Sequence, residues 1–422
     1  MTSPLPEFLR AALAIAFFIG VAFLASDDRR AIPWRVVLGG LALAVAVALL
    51  LIYVPPARHA LLLANKAAHA IQTATDAGSG FVFGYLGGGA PPFEEKNPAA
   101  SFILAFKALP MALTISALAS LLFYWGLLQK AAGAFAWLLE RAMGVSGPLA
   151  LGAAVHVFVG MIEAPLLIRP YLRRMQSGEL FALMSCGMAG VAGTVMVIYA
   201  SFLSPLIPDA LGHILVASII ATPAALAIAA IMSPWEPGAD CGEAHLLTEE
   251  KPANAFDAII KGVADGVGPL VGVVSVLIVT IALVTLVNMA LANLPPVGGE
   301  PVSLQSLFAL LFRPVMWLIG APWEETRTAA SLMATKTVVN EFVAYRNMSA
   351  LPPEALSQKT RLILTYALCG FANFGSMGIL VGGLNAMLPE RRGEIARLGL
   401  RSILSGTIAT CMSATIAGLL LP

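Results

Sequence analysis

Two carboxylates stand almost alone in apolar sequence. Glu341 lies in Val339-Asn340-Glu341-Phe342-Val343-Ala344-Tyr345, and Glu163 in Gly160-Met161-Ile162-Glu163-Ala164-Pro165-Leu166. A charge at membrane depth costs about 3 kcal/mol or more on insertion scales, so such groups are kept to bind a solute, an ion or a proton. The chemistry they point to is recognition: a carboxylate accepts hydrogen bonds from hydroxyls and takes up a proton.

The surrounding chain sets that chemistry in a bilayer. Its 422 residues are 59% hydrophobic and 12% charged, with mean hydropathy +0.85, against about 25% charged residues in soluble domains. Eight windows reach the ~20 apolar residues that a spanning helix needs: 8 to 26, 35 to 54, 101 to 124, 179 to 203, 211 to 232, 269 to 292, 361 to 388 and 399 to 421. The first lacks a convincing cleavage site and is read as mature chain. The net charge of +1, without a basic run, argues against a nucleic-acid partner. No His-Glu-x-x-His, Gly-x-Ser-x-Gly or Cys/His metal spacing occurs, so neither an enzyme, a cofactor nor a resident metal is expected. Cys186, Cys241, Cys369 and Cys411 read as small packing residues.

Arginine-rich segments at 27 to 30, 169 to 174 and 391 to 397 contrast with 204 to 212 and 293 to 306, which hold no Lys or Arg. The arginine-rich side is therefore assigned to the cytoplasm, which places both termini outside. The connection carrying Arg346, Lys359 and Arg361 then lies outside and runs against the rule. The acidic, Gly- and Pro-containing stretch from Trp235 to Glu250 reads as a cytoplasmic loop. Lys107, His213 and Lys261 fall near span ends, where they can reach the interface.

Two regions do not read as simple spans. Gly144 to Gln176 is apolar, broken near Gly160, then amphipathic at Arg169, Arg173 and Arg174; Ala321 to Asn347 is helical in period yet carries Glu324, Glu325, Arg327, Lys336 and Glu341. Both are expected to be re-entrant hairpins, since irregular backbone at membrane depth survives only where protein or a water-filled cavity surrounds it. Each precedes a span interrupted by small residues: Cys186-Gly187-Met188-Ala189-Gly190 and Cys369-Gly370-Phe371-Ala372-Asn373. Hairpin, broken helix and helix thus occur twice, as in an inverted repeat whose solute site lies near the midplane. The fold class expected is an all-α integral membrane protein with eight transmembrane helices, two re-entrant hairpins and discontinuous helices.

The glycine-rich run Gly80-Phe81-Val82-Phe83-Gly84-Tyr85-Leu86-Gly87-Gly88 precedes Gly160-x-x-Glu163-Ala164-Pro165-Leu166 and Pro322-Trp323-x-Glu325. Then follow Asn340-Glu341-Phe342-Val343-Ala344-Tyr345, Cys369-Gly370-Phe371-Ala372-Asn373-Phe374, Glu390-Arg391-Arg392-Gly393-Glu394 and Met412-Ser413-Ala414-Thr415-Ile416-Ala417-Gly418. In this order, from about residue 80 to the C-terminus, they resemble the concentrative nucleoside transporter family. The resemblance implies a homotrimer in a bacterial-type inner membrane, with elevator-type transport of nucleosides driven by an ion gradient. It divides the chain into residues 1–143, mainly scaffold; 144–232, the first repeat with its hairpin; 233–320, loop, scaffold span and outer connection; and 321–422, the second repeat with its hairpin.

On the sugar side the resemblance is intact. Glu341, Asn373 and Ser376 stand where the family bonds ribose hydroxyls, and Phe371 where an aromatic ring packs on the ligand; a plainer role for Asn373 and Ser376 is to satisfy broken-helix backbone. The base side departs. The family's Gly-Gln-Thr-Glu is here Gly160-Met161-Ile162-Glu163, with Val195 still matching an apolar position, which implies relaxed base selectivity or a less polar group. Glu163 either contacts ligand through water, carries a proton or caps the helix at Ala164-Pro165.

The family's sodium-coupled members have an Asn and a Ser where this chain has His156 and Gly190. The carbonyls of Val159 and Val191 alone make a poor site for a hard cation. Proton coupling is therefore expected, with Glu163, His156 and Glu341 as candidate carriers. The alternative is a sodium-coupled symporter, or an importer of a modified nucleoside. His156 is either a relay or a packing residue.

Overall fold

The computed structural model describes residues 6–94, 103–237, 252–296 and 301–421, and the described residues form helices and no strand. In chain order the helices are α1 (Glu7–Leu24), α2 (Trp34–Tyr53), α3 (Pro55–Phe83), α4 (Leu104–Lys107), α5 (Pro110–Tyr124), α6 (Leu127–Met143) and α7 (Gly147–Val155). There follow α8 (Glu163–Leu167), α9 (Arg169–Leu172), α10 (Ser177–Ala189), α11 (Gly193–Leu203), α12 (Ala210–Met232) and α13 (Ala255–Leu291). The chain ends with α14 (Leu304–Leu318), α15 (Thr326–Val338), α16 (Glu341–Ser349), α17 (Gln358–Leu368), α18 (Phe374–Met387) and α19 (Arg392–Leu420).

Among the described residues, six helical segments are long and apolar enough to cross a membrane: α1, α2, the α4–α5 segment, α12, α13 and the segment ending in α19. They coincide with six of the eight apolar windows. The other two windows are each split, 179 to 203 into α10 and α11 and 361 to 388 into α17 and α18. Gly190 and Ala192 lie in the first break and Gly370 in the second. Asn373 then restarts the second half by accepting from the Ser376 N–H at 2.7 Å, a cap that satisfies one of the four unpaired amides at a helix start.

The two stretches expected to fold back are helix, turn and helix: α7 against α8, and α15 against α16. Asn340 interrupts the second pair and caps α16 by accepting from the Val343 N–H at 2.9 Å. Three helices fall outside every apolar window and both expected hairpins. Two are the amphipathic α3 and α6. The third is α14, which occupies most of the expected outer connection and packs against α15. Between α14 and α15 the chain turns at Gly320 with φ 130°, and the Arg313 guanidinium lies 4.7 Å from the Trp323 ring centroid. Residues 238–251, which hold Cys241 and most of the expected cytoplasmic loop, lie outside the described residues.

The core is organised around α12, buried along nearly its whole length between α2, α10 and α19. At the other extreme, only 6% of the apolar window of α13 is covered, although α5 packs along it. A helix apolar on all sides and uncovered by its own chain belongs against lipid or other protein.

Close approach, rather than large side chains, joins α2 to α12: a Cβ at Gly40 would lie 2.6 Å from the Pro223 carbonyl oxygen and 2.7 Å from Met143 Cε. Gly40→Leu should therefore overpack this seam at a cost of about 1 to 3 kcal/mol. The check is a thermal melt of purified protein in detergent, where an unchanged midpoint would contradict the packing.

Candidate functional site

Glu341 opens α16 at the Asn340 break and is only 4% exposed. Its carboxylate is held from two other elements. Tyr199 of α11 donates its hydroxyl to Oε1 at 2.6 Å, and Asn373 donates its side-chain N–H to Oε2 at 2.8 Å. Hydrogen bonds to an ionised acceptor are the strong kind, and each oxygen keeps a lone pair for a further donor.

Asn373 has two roles at once. Its amide oxygen caps α18 and its amide nitrogen holds Glu341, so the helix start fixes the orientation of the donor. The plainer role weighed for this residue is therefore real, and it coexists with the contact to the glutamate. Ser376 is buried at the first turn of α18, and Phe371 lies half-buried in the break.

The two breaks touch. The Phe371 N–H donates to the Gly190 carbonyl at 3.2 Å, and a Cβ at Gly370 would lie 2.9 Å from the carbonyl oxygens of Met188 and Ala189. Only a glycine lets the second break lie against the end of α10. Ser218 of α12 reaches both from behind: it accepts from the Val191 N–H at 3.3 Å, and its hydroxyl lies 3.6 Å from Cys369 Sγ. Aromatic packing holds α11 to α16, with Tyr199 and Tyr345 centroids 5.0 Å apart and Phe202 and Phe342 centroids 5.2 Å apart.

The base-side residues sit apart from this cluster. Met161 is buried against Gly187 of α10, while Ile162 packs on Gly383 of α18. The first hairpin turn is thereby wedged between the two halves. Gly160 precedes it, and a side chain there would collide with the Glu163 carboxylate. Glu163 itself is exposed, begins α8 and curls over its own first turn. No side-chain cap hydrogen bond forms at the start of α8. Glu341 takes its hydrogen bonds from Tyr199 and Asn373, and the first carboxylate does not enter that network. Val195 is half-buried at the start of α11, Val159 is half-buried and Val191 is fully buried.

His156 is 4% exposed, with its ring over Gly187. Among the described residues its Nε2 finds no hydrogen-bond partner. His213 lies half-buried in the first turn of α12, near the span end as expected, and its Nδ1 is 3.1 Å from the Tyr366 hydroxyl of α17. Tyr199, Ser218 and the partners of Lys336 were not anticipated. A lone tyrosine in an apolar helix was the available signal, because a buried phenol needs an acceptor. Nothing local marks Ser218.

Comparison with known proteins gives this arrangement a family. Family models described as Na+ dependent nucleoside transporter C-terminus and N-terminus match residues 213–418 and 13–86, and one described as nucleoside recognition matches residues 105–206. The chain belongs to the concentrative nucleoside transporter family. It is 38% identical to an uncharacterized transporter of Haemophilus influenzae over 97% of each chain. It is 33% identical to the nucleoside permease NupC of Helicobacter pylori over 96% of each. Among solved structures it resembles CNTnw in an inward-facing substrate-bound state, with TM-score 0.86, 36% identity and 98% of each chain covered; the same relative is also known in outward-facing and intermediate states. The family consists of membrane transporters and not enzymes.

Asn373→Ala removes both the cap of α18 and a donor to Glu341. The expected loss is about 2 to 4 kcal/mol, from a cap worth ~1 and a charge-assisted bond worth ~1.5 to 3. Thermal melts of ligand-free protein check this, and a midpoint within error of wild type would remove the dual role.

Proposed function

We propose that this chain is a secondary active nucleoside importer that works by an elevator-type alternating-access mechanism. The observation that carries the reading is the Glu341 carboxylate, buried where the two broken helices meet and gripped by Tyr199 and Asn373 with acceptor capacity to spare. A ribose supplies the vicinal hydroxyls that such a site binds, and a solute lacking them leaves buried polar groups unpaired at about 1 to 3 kcal/mol each.

In this reading Glu341, Asn373 and Ser376 bind the sugar, and Phe371 packs on the ligand. Gly160, Met161, Ile162 and Val195 border the base with few polar groups, so base selectivity is relaxed; Glu163 reaches ligand through water or carries a proton. The protomer has eight spans and two re-entrant hairpins in an inverted repeat. Residues 144–232 and 321–422 form the moving part against a scaffold of 1–143 and 233–320. Three protomers assemble through apolar scaffold faces such as that of α13 in a bacterial inner membrane, with both termini outside. The inward-facing, intermediate and outward-facing states known for the CNTnw relative support a movement of one part past the other.

Coupling is to protons. His156 is buried at the place where sodium-coupled members carry an oxygen ligand, and no side-chain oxygen remains at Gly190. The runner-up is sodium symport, favoured by the Na+ dependence in the description of the family models; it would have to rest on the carbonyls of Val159 and Val191.

Uptake of radiolabelled uridine and adenosine into proteoliposomes tests both levels. An imposed inward proton gradient should drive accumulation without sodium, whereas stimulation by sodium alone would reassign the coupling ion. Glu341→Gln should abolish ribonucleoside uptake, and a wild-type rate would end the sugar-binding assignment. The double change Met161→Gln, Ile162→Thr should sharpen discrimination among competing bases; an unchanged competition profile would remove these residues from the base side.

A further inference from the structure

Tyr199 lies in the middle of α11 and is only 2% exposed. A buried phenol needs an acceptor, and this one takes Glu341 Oε1 at 2.6 Å, reaching from the first repeat into the second. The ring itself is fixed by its neighbours on α16. Tyr345 packs against it with centroids 5.0 Å apart, and Phe342 lies edge-on at 6.1 Å. Tyr345 is anchored in turn, because its hydroxyl donates to the Thr365 carbonyl of α17 at 2.7 Å. The phenol therefore meets the carboxylate from a ring held in place.

A carboxylate held by one donor pivots about that bond, whereas one held at both oxygens has a fixed plane. Asn373 holds Oε2 at 2.8 Å, and its own orientation is set by the cap that it makes on α18. The two lone pairs that remain, one on each oxygen, then point in set directions. Two neighbouring hydroxyls of one solute match such a pair of acceptors; a single hydroxyl needs only one of them. Val195 stands four residues before Tyr199 on α11, so the two side chains share a face about 6 Å apart along the axis. Val195 borders the base in the reading above, and one rigid helix thus carries a base contact and the anchor of the sugar-side carboxylate.

We propose that Tyr199 makes this site selective for a vicinal diol: its phenol fixes the plane of Glu341, and that plane, rather than the charge alone, distinguishes a ribonucleoside from its deoxy analogues. Tyr199 is a positioning residue that touches the carboxylate and not the solute. Sugar selectivity then depends on a contact between the two repeats. The inference deepens the nucleoside reading and rests on it.

The test is equilibrium binding of uridine, 2′-deoxyuridine and 3′-deoxyuridine to purified full-length protein. Wild-type protein should bind each deoxy analogue about tenfold more weakly than uridine, the equivalent of one lost hydrogen bond to a charged group. Tyr199→Phe removes one oxygen and keeps the ring. It should lose about tenfold in uridine affinity and less than about threefold for either analogue, because a pivoting carboxylate still meets one hydroxyl. The three affinities then converge. An equal loss for all three solutes, as loosened packing would give, overturns the proposal, and so does an unchanged uridine affinity. If Tyr199→Phe does not fold, a fluorotyrosine at position 199 keeps the hydroxyl and reports on it by fluorine NMR. Uridine should shift that resonance by adding donors to the shared carboxylate, and 2′,3′-dideoxyuridine should not; a resonance that uridine leaves in place overturns the proposal. Wild-type protein that binds none of these solutes would defeat the nucleoside reading together with this inference, whereas equal binding of uridine and both deoxy analogues leaves that reading standing and overturns the role of Tyr199.

Discussion

Keeping a carboxylate inside an apolar body requires donors, and those of Glu341 come from separate parts of the chain. Tyr199 arrives from α11 and Asn373 from the start of α18. Water would supply these contacts to an exposed carboxylate without any help from the fold. Inside the protein they exist only if α11, α16 and α18 converge, so the charge specifies the arrangement of the helices as much as the helices hold the charge. This is how the recognition group and the architecture come to depend on each other.

Convergence of that kind calls for helices that end inside the protein. A continuous helix uses its own amides, whereas a broken one offers unpaired N–H groups at one side of the gap and C=O groups at the other. The chain resolves this with short-range chemistry. Asn340 and Asn373 each cap the helix they precede, Phe371 bonds its amide to Gly190 across the two breaks, and Ser218 serves the first break from α12. Glycine at 370 allows the approach. The same gap that binds polar groups together also leaves lone pairs unused, such as those of the Glu341 carboxylate.

The two halves match in outline and differ in charge. The second holds a buried acid bonded to Tyr199 and Asn373, and the buried ammonium of Lys336 bonded to Ala367 and Thr410. The first holds an exposed acid, curled over its own helix start, and a buried imidazole with an unpartnered nitrogen.

Much of this was legible in one dimension because membrane proteins write their constraints locally. Apolar windows coincide with six long apolar helices, since about twenty residues must each tolerate hydrocarbon; isolated polar residues such as Glu341 and Asn373 marked a buried polar cluster, since each is costly where it stands; and Gly, Asn and Cys-Gly clusters marked the breaks. Helices outside those windows and hairpins were less legible: α3 and α6 are too amphipathic to signal a span, and α14 is too short. Which polar groups meet was decided by tertiary structure. Glu163 and Glu341 look alike in sequence, yet one is exposed and one is gripped by a tyrosine 142 residues away. His213 meets Tyr366, and Ser218 and Lys336 found partners 27 to 151 residues distant. The sequence alone determined which residues need partners, because burial cost is a property of the side chain; only packing decided who those partners are, because hydrogen bonds depend on ångström-scale geometry between segments that sequence separates.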